Sequence, residues 1–476
     1  MPNNKKEHMI QTKESKKSFW SVFTDPVILL FTIIAFASLL TYLIPAGAYD
    51  FSMVGGKKII DPNSFHFIKS TPTSFLGLFN AIPLGLQAAA PLMFMIFLIG
   101  GAIKIFDSSG AIGGAVAALT RKFGAGKSSW VLVLITTFFL FLGGFPGMLE
   151  AAIPFAPLVV GIAISMGYDV MVGIAVPVLG IAMGWAAGPT NPFTTGIAQQ
   201  MAGLPMFSGF GLRFCLWIVL VLLVNGWILN YAKKVKADPT KSTVYGLIDN
   251  NQFDAVNLDE LPFGIREKSV LMVFILTIAT VVFGAMNFKW GMTEMSSIYI
   301  IGAIVGGIIA GFNASKIART IMDGAKSIFI GAIAVGLARG ISVVLQNAKI
   351  LDTIVYYASL PLKGVSPLIS AFLMFIFQSL LTFLIPSGSG LAMTTMPIML
   401  PLADILHLSK QVTILAFQFG DGFAHLAFPT VAVVISYLAY TKVSFGKWLK
   451  FVWSFMVLVY IVAFATLSIA VAINYH

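Results

Sequence analysis

The chain has 476 residues, of which 58% are hydrophobic and only 10% are charged, and its mean hydropathy is +0.91. Soluble domains average about 45–50% apolar and about 25% charged residues, so this composition excludes a soluble enzyme, a nucleic-acid binder and a coiled coil. The formal net charge of +11 then indicates Lys and Arg concentrated in cytoplasmic loops, as is usual in membrane proteins.

Long apolar runs begin after a polar, lysine-bearing N-terminal segment, residues 1–26, which we expect in the cytoplasm. A β-barrel would show short alternating runs instead, so the sequence predicts an all-α polytopic membrane protein. We predict a first transmembrane repeat over residues 27–232, a cytoplasmic linker over 233–268 and a second transmembrane repeat over 269–476.

Two apolar segments that end in glycine and proline predict re-entrant hairpins. The run 129–143 is too short, at 1.5 Å per residue, to cross a bilayer, and Pro146 follows it, which predicts a hairpin over about 129–167. The same pattern returns about 240 residues later around Pro386 and predicts a second hairpin over about 366–408.

A helix that is broken in mid-course follows each predicted hairpin. The first covers about 170–200 and is interrupted by Gly188-Pro189-Thr190-Asn191-Pro192. The second covers about 411–441 and is interrupted by Phe428-Pro429-Thr430 at the same offset of about 240 residues. Proline lacks the amide donor that a helix interior needs, so a helix is expected to stop at each of these sites.

The distribution of positive charge predicts that the two repeats are inverted. With the N-terminus inside, about nine spans plus two hairpins place 19 of the 30 Lys and Arg on inner segments and 7 on outer ones. An excess of Lys and Arg on the cytoplasmic side is what the positive-inside rule requires. The segment 269–288 is then the odd span that reverses the second repeat.

The predicted tips and breaks put irregular backbone at membrane depth, where it is tolerated only against protein, water or a ligand. In secondary transporters with inverted repeats, helix N-termini attract an anionic group while freed carbonyls bind a cation. The sequence contains no Gly-x-x-x-x-Gly-Lys-Ser/Thr loop, so a gradient or exchange is expected to drive transport. An ion channel is an alternative class. We expect that the protein is not an enzyme and that it has no catalytic residue and no metal ligand.

Four segments carry a family resemblance: LIPSGSGLA at 384–392, NPFTTGIA at 191–198, ARGI at 338–341 and DPTKS at 238–242. They resemble the YfcC/DcuC-like family, the C4-dicarboxylate anaerobic carrier-like proteins of the ion transporter superfamily. The resemblance covers nearly the whole chain. It implies an inner-membrane carrier of small carboxylate-bearing solutes, which include dicarboxylates and, in some relatives, arginine and ornithine. It also implies a homodimer, hairpins that bind substrate and often sodium, and an elevator-like motion.

The chain departs from its relatives at two places near the predicted site. Some relatives have tandem glutamates at the first tip, where this chain has Leu149 followed by the single acid Glu150. Many relatives have Asn-Leu before the second Pro-Thr, where this chain has His425-Leu426. Both differences bear on the identity of the substrate.

Polar side chains around the tips and breaks are the candidate site residues. Glu150 is a carboxylate at membrane depth that is expected to bind a substrate cation, sodium or a proton, or else to cap its helix. Asp421 and His425, four residues apart, are expected on one helix face, where they share a proton or a water. The predicted substrate-binding residues are Glu150, Thr190, Asn191, Thr194, Ser387, Ser389, Asp421, His425 and Thr430, and the predicted ion-binding residues are Gly147, Asn191, Gly388, Ser389 and Thr430.

Three further charged residues are assigned to other roles. Arg339 is expected to snorkel or to pair with an acid, and a contact with a substrate carboxylate is the alternative. Arg213 and Asp169 lie near predicted span ends and are expected at the membrane interface.

The sequence therefore predicts a secondary active transporter, a symporter or an antiporter, in the cell (inner) membrane. Its expected substrate is a small amino acid, with basic ones such as arginine or ornithine in view, because Glu150 and Asp421 supply negative charge near the site. A C4-dicarboxylate or short-chain carboxylate is the alternative substrate. We expect no cofactor, with Na+ or H+ as the coupling ion. The expected partners are the substrate, the lipid bilayer and a second copy, with no nucleic acid.

Overall fold

The computed structural model describes residues 26–54, 57–60, 64–123, 129–248, 262–288, 290–360, 365–406 and 408–476. Almost all of these residues are helical, and the predicted all-α membrane architecture is confirmed. Of the predicted N-terminal segment 1–26, only the last residue is described, and residues 249–261 of the predicted linker lie outside the described part of the chain.

The helices before the linker follow the predicted order of spans, hairpin and broken helix. They are α1 (Pro26–Leu43), α2 (Phe75–Ser108), α3 (Ala111–Phe123), α4 (Ser129–Gly144), the 3-10 helix Leu149–Phe155, α5 (Ala156–Ser165), α6 (Val170–Ala187), the π-helix Pro192–Gly196, α7 (Ile197–Met201), α8 (Phe210–Ala237) and the 3-10 helix Pro239–Lys241. Short antiparallel strand pairs join α1 to α2: β1 (Gly47–Ala48) pairs with β4 (His66–Phe67), and β2 (Phe51–Val54) with β3 (Lys57–Ile60).

The helices after the linker repeat this order. They are α9 (Ile265–Phe288), α10 (Met292–Ile309), α11 (Ala314–Ser327), α12 (Phe329–Asn347), α13 (Leu351–Ser359), α14 (Pro367–Leu384), α15 (Gly388–Ile405), α16 (Lys410–Ala424), α17 (Ala432–Thr441) and α18 (Phe445–Ala472).

Eight helical stretches within the described residues are long and apolar enough to cross a membrane. One of them, α14, is the first arm of the second predicted hairpin, and the others coincide with predicted spans: Phe75–Ser108, Val170–Met201, Phe210–Ala237, Ile265–Gly284, Met292–Ile309, Phe329–Asn347 and Phe445–Ala472.

The first hairpin turns where its sequence cannot continue a helix. After α4 ends, Gly147 adopts a φ of +67°, a left-handed conformation that glycine adopts without steric cost. The second arm starts as a 3-10 helix with Pro154 inside it and becomes regular only at α5. The second hairpin turns at Pro386, and Ser387 caps α15 by accepting a hydrogen bond from the Gly390 amide at 3.4 Å.

Both predicted helix breaks are present, and they are deeply buried. Every residue of α6 is buried within the protein. The helix ends at Gly188, whose φ is +49°. The second break separates α16 from α17, so each repeat contains a hairpin and a broken helix as predicted.

The long helix α8 demonstrates the inversion of the repeats, because the bases of the two hairpins contact its opposite ends. Tyr231, near its C-terminal end, donates a hydrogen bond of 2.6 Å to Asp169, which follows the first hairpin. Arg213, near its N-terminal end, donates one of 3.1 Å to Gln411, which follows the second hairpin. At 1.5 Å per residue these contacts are roughly 27 Å apart, close to the hydrocarbon thickness of a bilayer.

Arg213 and Asp169 lie at helix ends as predicted, but both are buried in protein instead of facing the membrane interface. Neutral oxygens surround the guanidinium of Arg213, which also donates to the Ser208 carbonyl and the Tyr475 hydroxyl at 3.0 Å. Asp169 caps α6 and accepts a second 2.6 Å bond, from Ser242 in the start of the linker. Hydrogen bonds of this kind are what permit a buried charge.

A small cap joins the α1–α2 connection to α13. Gly47 donates a hydrogen bond to the Lys349 carbonyl at 3.0 Å, and Thr353 donates one to the Pro45 carbonyl at 2.8 Å. Burial raises the pKa of the Asp352 carboxyl in this cap, and a hydrogen bond from the Tyr49 backbone opposes part of the shift.

Asp352→Asn is expected to raise the melting temperature at neutral pH, because the folded state holds the ionised carboxylate less well than water does. With a raised folded pKa, the contribution of the Asp352 carboxyl to stability is complete below its unfolded value of about 3.9 and is lost as pH rises through the folded pKa. Melting curves across pH should therefore separate wild type from variant at neutral pH and converge in acid. The exposed Asp323→Asn is the control, and a constant offset at every pH would contradict the assignment.

Candidate functional site

Both hairpin tips face one cavity of about 250 Å³. The first tip contributes Gly147 and Glu150, and the second contributes Ser387, Gly388 and Ser389, all predicted site residues. The opposite wall is mostly apolar and includes Met95, Ile99, Met292 and Met295 from α2 and α10. A small apolar cavity with a few convergent polar groups is the usual form of a small-molecule site.

A second cavity of about 210 Å³ shares Glu150, Ser387 and Met292 with the first and is therefore adjacent to it. Thr430, within the second helix break, lines this cavity, and so does Arg339 of α12. Glu150 is half-buried and belongs to both cavities. The two cavities therefore bring together side chains from both tips, the second break and α12.

A layer of fully buried polar residues lies behind the first cavity. Trp185, which lines the cavity, donates a hydrogen bond of 2.7 Å from Nε1 to Oδ2 of Asp421. His425 Nδ1 contacts the Asp421 carbonyl of its own helix and lies 3.8 Å from Asp421 Oδ1. Asp421 and His425 are thus adjacent, as predicted, and the Trp185 indole links Asp421 to the cavity.

Several polar atoms near the two helix breaks are buried and have no hydrogen-bond partner within the described residues. They belong to the two helix breaks and their neighbours: Asn191 Nδ2, Thr194 Oγ1, Asp421 Oδ1, His425 Nε2 and Thr430 Oγ1. Leaving a buried polar atom unpaired costs about 1–3 kcal/mol, more for a charged group. A cluster of such atoms therefore indicates a place where water or a ligand completes the bonding.

The tip of the second hairpin touches both broken helices. A Cβ added at Gly388 would lie 2.5 Å from Thr194 Cγ2 and 2.8 Å from both Asp421 Oδ2 and the Trp185 ring. No side chain fits in this space, so the glycine allows the backbone to approach the carboxylate directly. Because α15 begins at Gly388, the positive end of its dipole faces Asp421.

The tip of the first hairpin packs against the first helix break. Thr190 donates a hydrogen bond from Oγ1 to the Phe145 carbonyl at 3.2 Å and one from its amide to the Gly144 carbonyl at 3.3 Å. Asn191 Oδ1 accepts from the amides of Phe193 and Thr194 at 2.9 and 3.3 Å. The Thr190 hydroxyl and the side-chain oxygen Oδ1 of Asn191 are therefore occupied by structural hydrogen bonds.

The predicted site residues thus fall into three groups. Those lining the two cavities are Gly147, Glu150, Ser387, Gly388, Ser389 and Thr430. Those in the buried layer behind them are Asn191, Thr194, Asp421 and His425, none of which lines these two cavities. Thr190 belongs to neither group, because its hydroxyl holds the first tip.

Sequence reasoning missed Trp185 and Gln418. Trp185 bonds to Asp421, and Gln418 accepts from Thr195 at 3.2 Å and donates to the Trp185 carbonyl. Arg339 was expected to snorkel or pair with an acid, yet it lines a cavity. The repeat itself contained a signal for Trp185. Trp185 stands before the first helix break at the position that corresponds to His425 before the second break.

The architecture is that of a polytopic membrane protein, and the similarity to known proteins identifies it as a membrane transporter. The chain matches the family DcuC, C4-dicarboxylate anaerobic carrier, over residues 23–472, and it belongs to that family. An Escherichia coli (strain K12) relative named "Putative basic amino acid antiporter YfcC" is 30% identical, over 97% of this chain and 99% of its own. These names describe a carrier and an antiporter, which is compatible with the expectation that the chain is not an enzyme.

Other proteins resemble the chain less closely. A Haemophilus influenzae protein is 29% identical over 83% of this chain and 78% of its own length. Among solved structures, MtrF of Neisseria gonorrhoeae, described with a class of antimetabolite efflux pumps, has 14% identity and a TM-score of 0.44, covering 94% of this chain and 95% of MtrF. The YdaH transporter of Alcanivorax borkumensis has 14% identity and a TM-score of 0.41, covering 94% and 99%.

Proposed function

We propose that this protein is a secondary active transporter, a symporter or an antiporter, of a small amino acid, with basic amino acids such as arginine and ornithine as the first candidates. The observation that carries the proposal is the position of Glu150, a carboxylate that lines both cavities between the hairpin tips. A carboxylate at membrane depth is costly unless it binds a cation. The name of the Escherichia coli relative supports the same substrate class.

A C4-dicarboxylate or short-chain carboxylate is the second candidate. The family description favours it, and so do the Ser387 and Thr430 hydroxyls and the Arg339 guanidinium, which line the second cavity. Glu150 in the same cavity argues against it, because a dianion and a carboxylate repel each other in a low-dielectric site.

The coupling ion, Na+ or H+, binds in this proposal at the buried layer between the breaks and the tips. Thr194 Oγ1, Thr430 Oγ1 and Asp421 Oδ1 are unpaired oxygens of the kind that hard cations prefer. Of the predicted ion-binding positions, Gly388 lies next to Thr194 and Asp421, Gly147 lies next to Asn191, and Ser389 lines the adjacent cavity. A proton would instead use Asp421 and His425.

The cavities lie at a boundary that suits an elevator-like mechanism. Hairpin tips and the second break form one side, while Met95 of α2, Met292 of α10 and Arg339 of α12 form the other. In our proposal the hairpins and broken helices move against α2, α10 and α12 and carry the substrate with them. The protein would work as a homodimer in the inner membrane with its N-terminus in the cytoplasm.

Thermal stabilisation of the purified protein tests the substrate class, because a ligand that binds only the folded state raises the melting temperature. Arginine, ornithine, neutral amino acids, succinate and short monocarboxylates are each added in sodium and in potassium buffer. Stabilisation by amino acids supports the proposal, and sodium dependence identifies the coupling ion. Stabilisation by carboxylates alone replaces the first candidate with the second.

Glu150→Gln is expected to lower the affinity for arginine and ornithine by at least about 10-fold, since it removes the charge that binds the substrate cation. Uptake of radiolabelled arginine into proteoliposomes and the ligand-induced melting shift measure the effect. The exposed Asp323→Asn on α11, which lines neither cavity, serves as the carboxylate control. Unchanged affinity in the Glu150 variant would remove this residue from the site, and flux without saturation or counterflow would favour a channel.

A further inference from the structure

Arg339 is a cation in the middle of a membrane helix whose role the proposed function leaves open. It lies in α12, a stretch of 19 residues that is long and apolar enough to span the bilayer. Its side chain is half-buried and lines the 210 Å³ cavity together with Glu150, Ser387 and Thr430. Of the roles considered from the sequence, which were snorkelling, an ion pair and a contact with a substrate carboxylate, this position favours the last.

No ion pair or side-chain hydrogen bond joins Arg339 to any residue in the described ranges. Glu150 lines the same cavity, yet the two side chains are not within 4 Å of each other as an ion pair would require. Unlike charges that share a cavity without neutralising each other leave room for a ligand that contacts both. A charge at this depth is costly and marks a functional position by default.

The backbone that carries Arg339 packs closely against α2. A Cβ added at Gly85 of α2 would lie 2.6 Å from the Gly336 carbonyl oxygen and 2.6 Å from the Gly340 amide nitrogen of α12. The two helices therefore pack backbone to backbone on the turn that contains Arg339. Glu150 lies on the first hairpin, whereas Arg339 lies on α12, so the two charged side chains reach the cavity from different parts of the molecule.

We propose that Arg339 binds the carboxylate of the transported substrate while Glu150 binds its cationic group, so that the site selects a zwitterion. A guanidinium presents paired donors that match a carboxylate. The inference rests on the proposed function for the class of substrate, an α-amino acid. It goes beyond that function by requiring the carboxylate: an amine with the same side chain and no carboxylate is a poor ligand.

Binding of matched ligand pairs tests this role. L-arginine is compared with agmatine, and L-ornithine with putrescine, because each pair differs by the carboxylate alone. Melting shifts across ligand concentration give the dissociation constants for wild type, Arg339→Gln and Arg339→Lys. In wild type the carboxylate should improve affinity by at least about 30-fold. In Arg339→Gln the two dissociation constants of each pair should become nearly equal. Arg339→Lys should keep part of the preference for the ligand with a carboxylate.

The exposed Arg319→Gln on α11 is the control and should keep the wild-type ratio of the two dissociation constants. Equal weakening of both members of a pair in Arg339→Gln would mean a structural role and would overturn the proposal, as would an unchanged ratio. If succinate binds wild type in place of arginine and Arg339→Gln loses it, the proposed amino acid substrate is wrong while the carboxylate role of Arg339 stands. Arg339→Lys carries the test if the glutamine variant does not fold.

Discussion

Asp421→Asn is expected to lower uptake by about 100-fold or more while the protein still inserts and folds. The Asp421 carboxyl is completely buried, and Oδ2 accepts the Trp185 indole hydrogen bond at 2.7 Å. Asparagine is isosteric and can still accept that bond through its carbonyl oxygen. What it lacks is the negative charge beside Gly388, which the proposed coupling cation requires.

Uptake into proteoliposomes under an imposed sodium or proton gradient measures this effect, with melting temperature as the check on folding. Asp404→Asn is the matched control, because Asp404 is an exposed carboxylate near the far end of the same hairpin arm that begins at Gly388. Wild-type uptake in the Asp421 variant would exclude this carboxylate from coupling. If instead the melting temperature collapses together with uptake, the residue has a structural role and the coupling proposal for it fails.

Gly388→Ala is expected to abolish transport, because the space beside this residue is filled. The added methyl would lie 2.5 Å from Thr194 Cγ2 and 2.8 Å from Asp421 Oδ2, shorter than any ordinary contact. Overpacking of this kind costs about 1–3 kcal/mol and is relieved by displacing one partner. We expect the second hairpin tip to move away from Asp421, which would open the cation site and uncouple the tip from both broken helices.

Transport and thermal stabilisation by ligand measure this variant together. Gly226→Ala in α8 is the control, since nothing lies within 4 Å of the position where its methyl would stand. The alanine itself suits a helix better than glycine, so a loss of transport cannot be assigned to helix propensity. Full activity in Gly388→Ala would show that close contact of the second tip with Asp421 is not needed for transport.

The hairpins and the broken helices could be predicted because local chemistry decides where a membrane helix stops. Pro146, Pro386, Pro189 and Pro429 lack the amide donor that a helix interior needs, and each lies where a helix has ended. Their spacing of about 240 residues made the duplication visible without a structure. The inversion followed from Lys and Arg positions, and contacts at opposite ends of α8 now demonstrate it.

The candidate site was only partly predictable, because the residues that a side chain contacts across the fold cannot be predicted from the segment around it. Ser387 and Glu150 were chosen for their positions at the tips, and both line the cavities. Thr190 was chosen on the same grounds, yet its hydroxyl bonds to a tip carbonyl. Buried Arg213 could not be foreseen, because its partners Gln411 and Tyr475 are about 200 or more residues away along the chain.

Hydropathy, proline and charge were sufficient to predict a membrane protein, its helical fold and its two repeats, since they act through neighbouring residues and through the bilayer. Which polar groups share a cavity depends instead on the assembled fold. It set Arg339 of α12 beside Glu150 of the first hairpin and joined Trp185 to Asp421, residues that are far apart in the chain. Such pairings depend on how helices pack against one another, and close packing through small residues such as Gly85 and Gly388 is a property of the assembled fold.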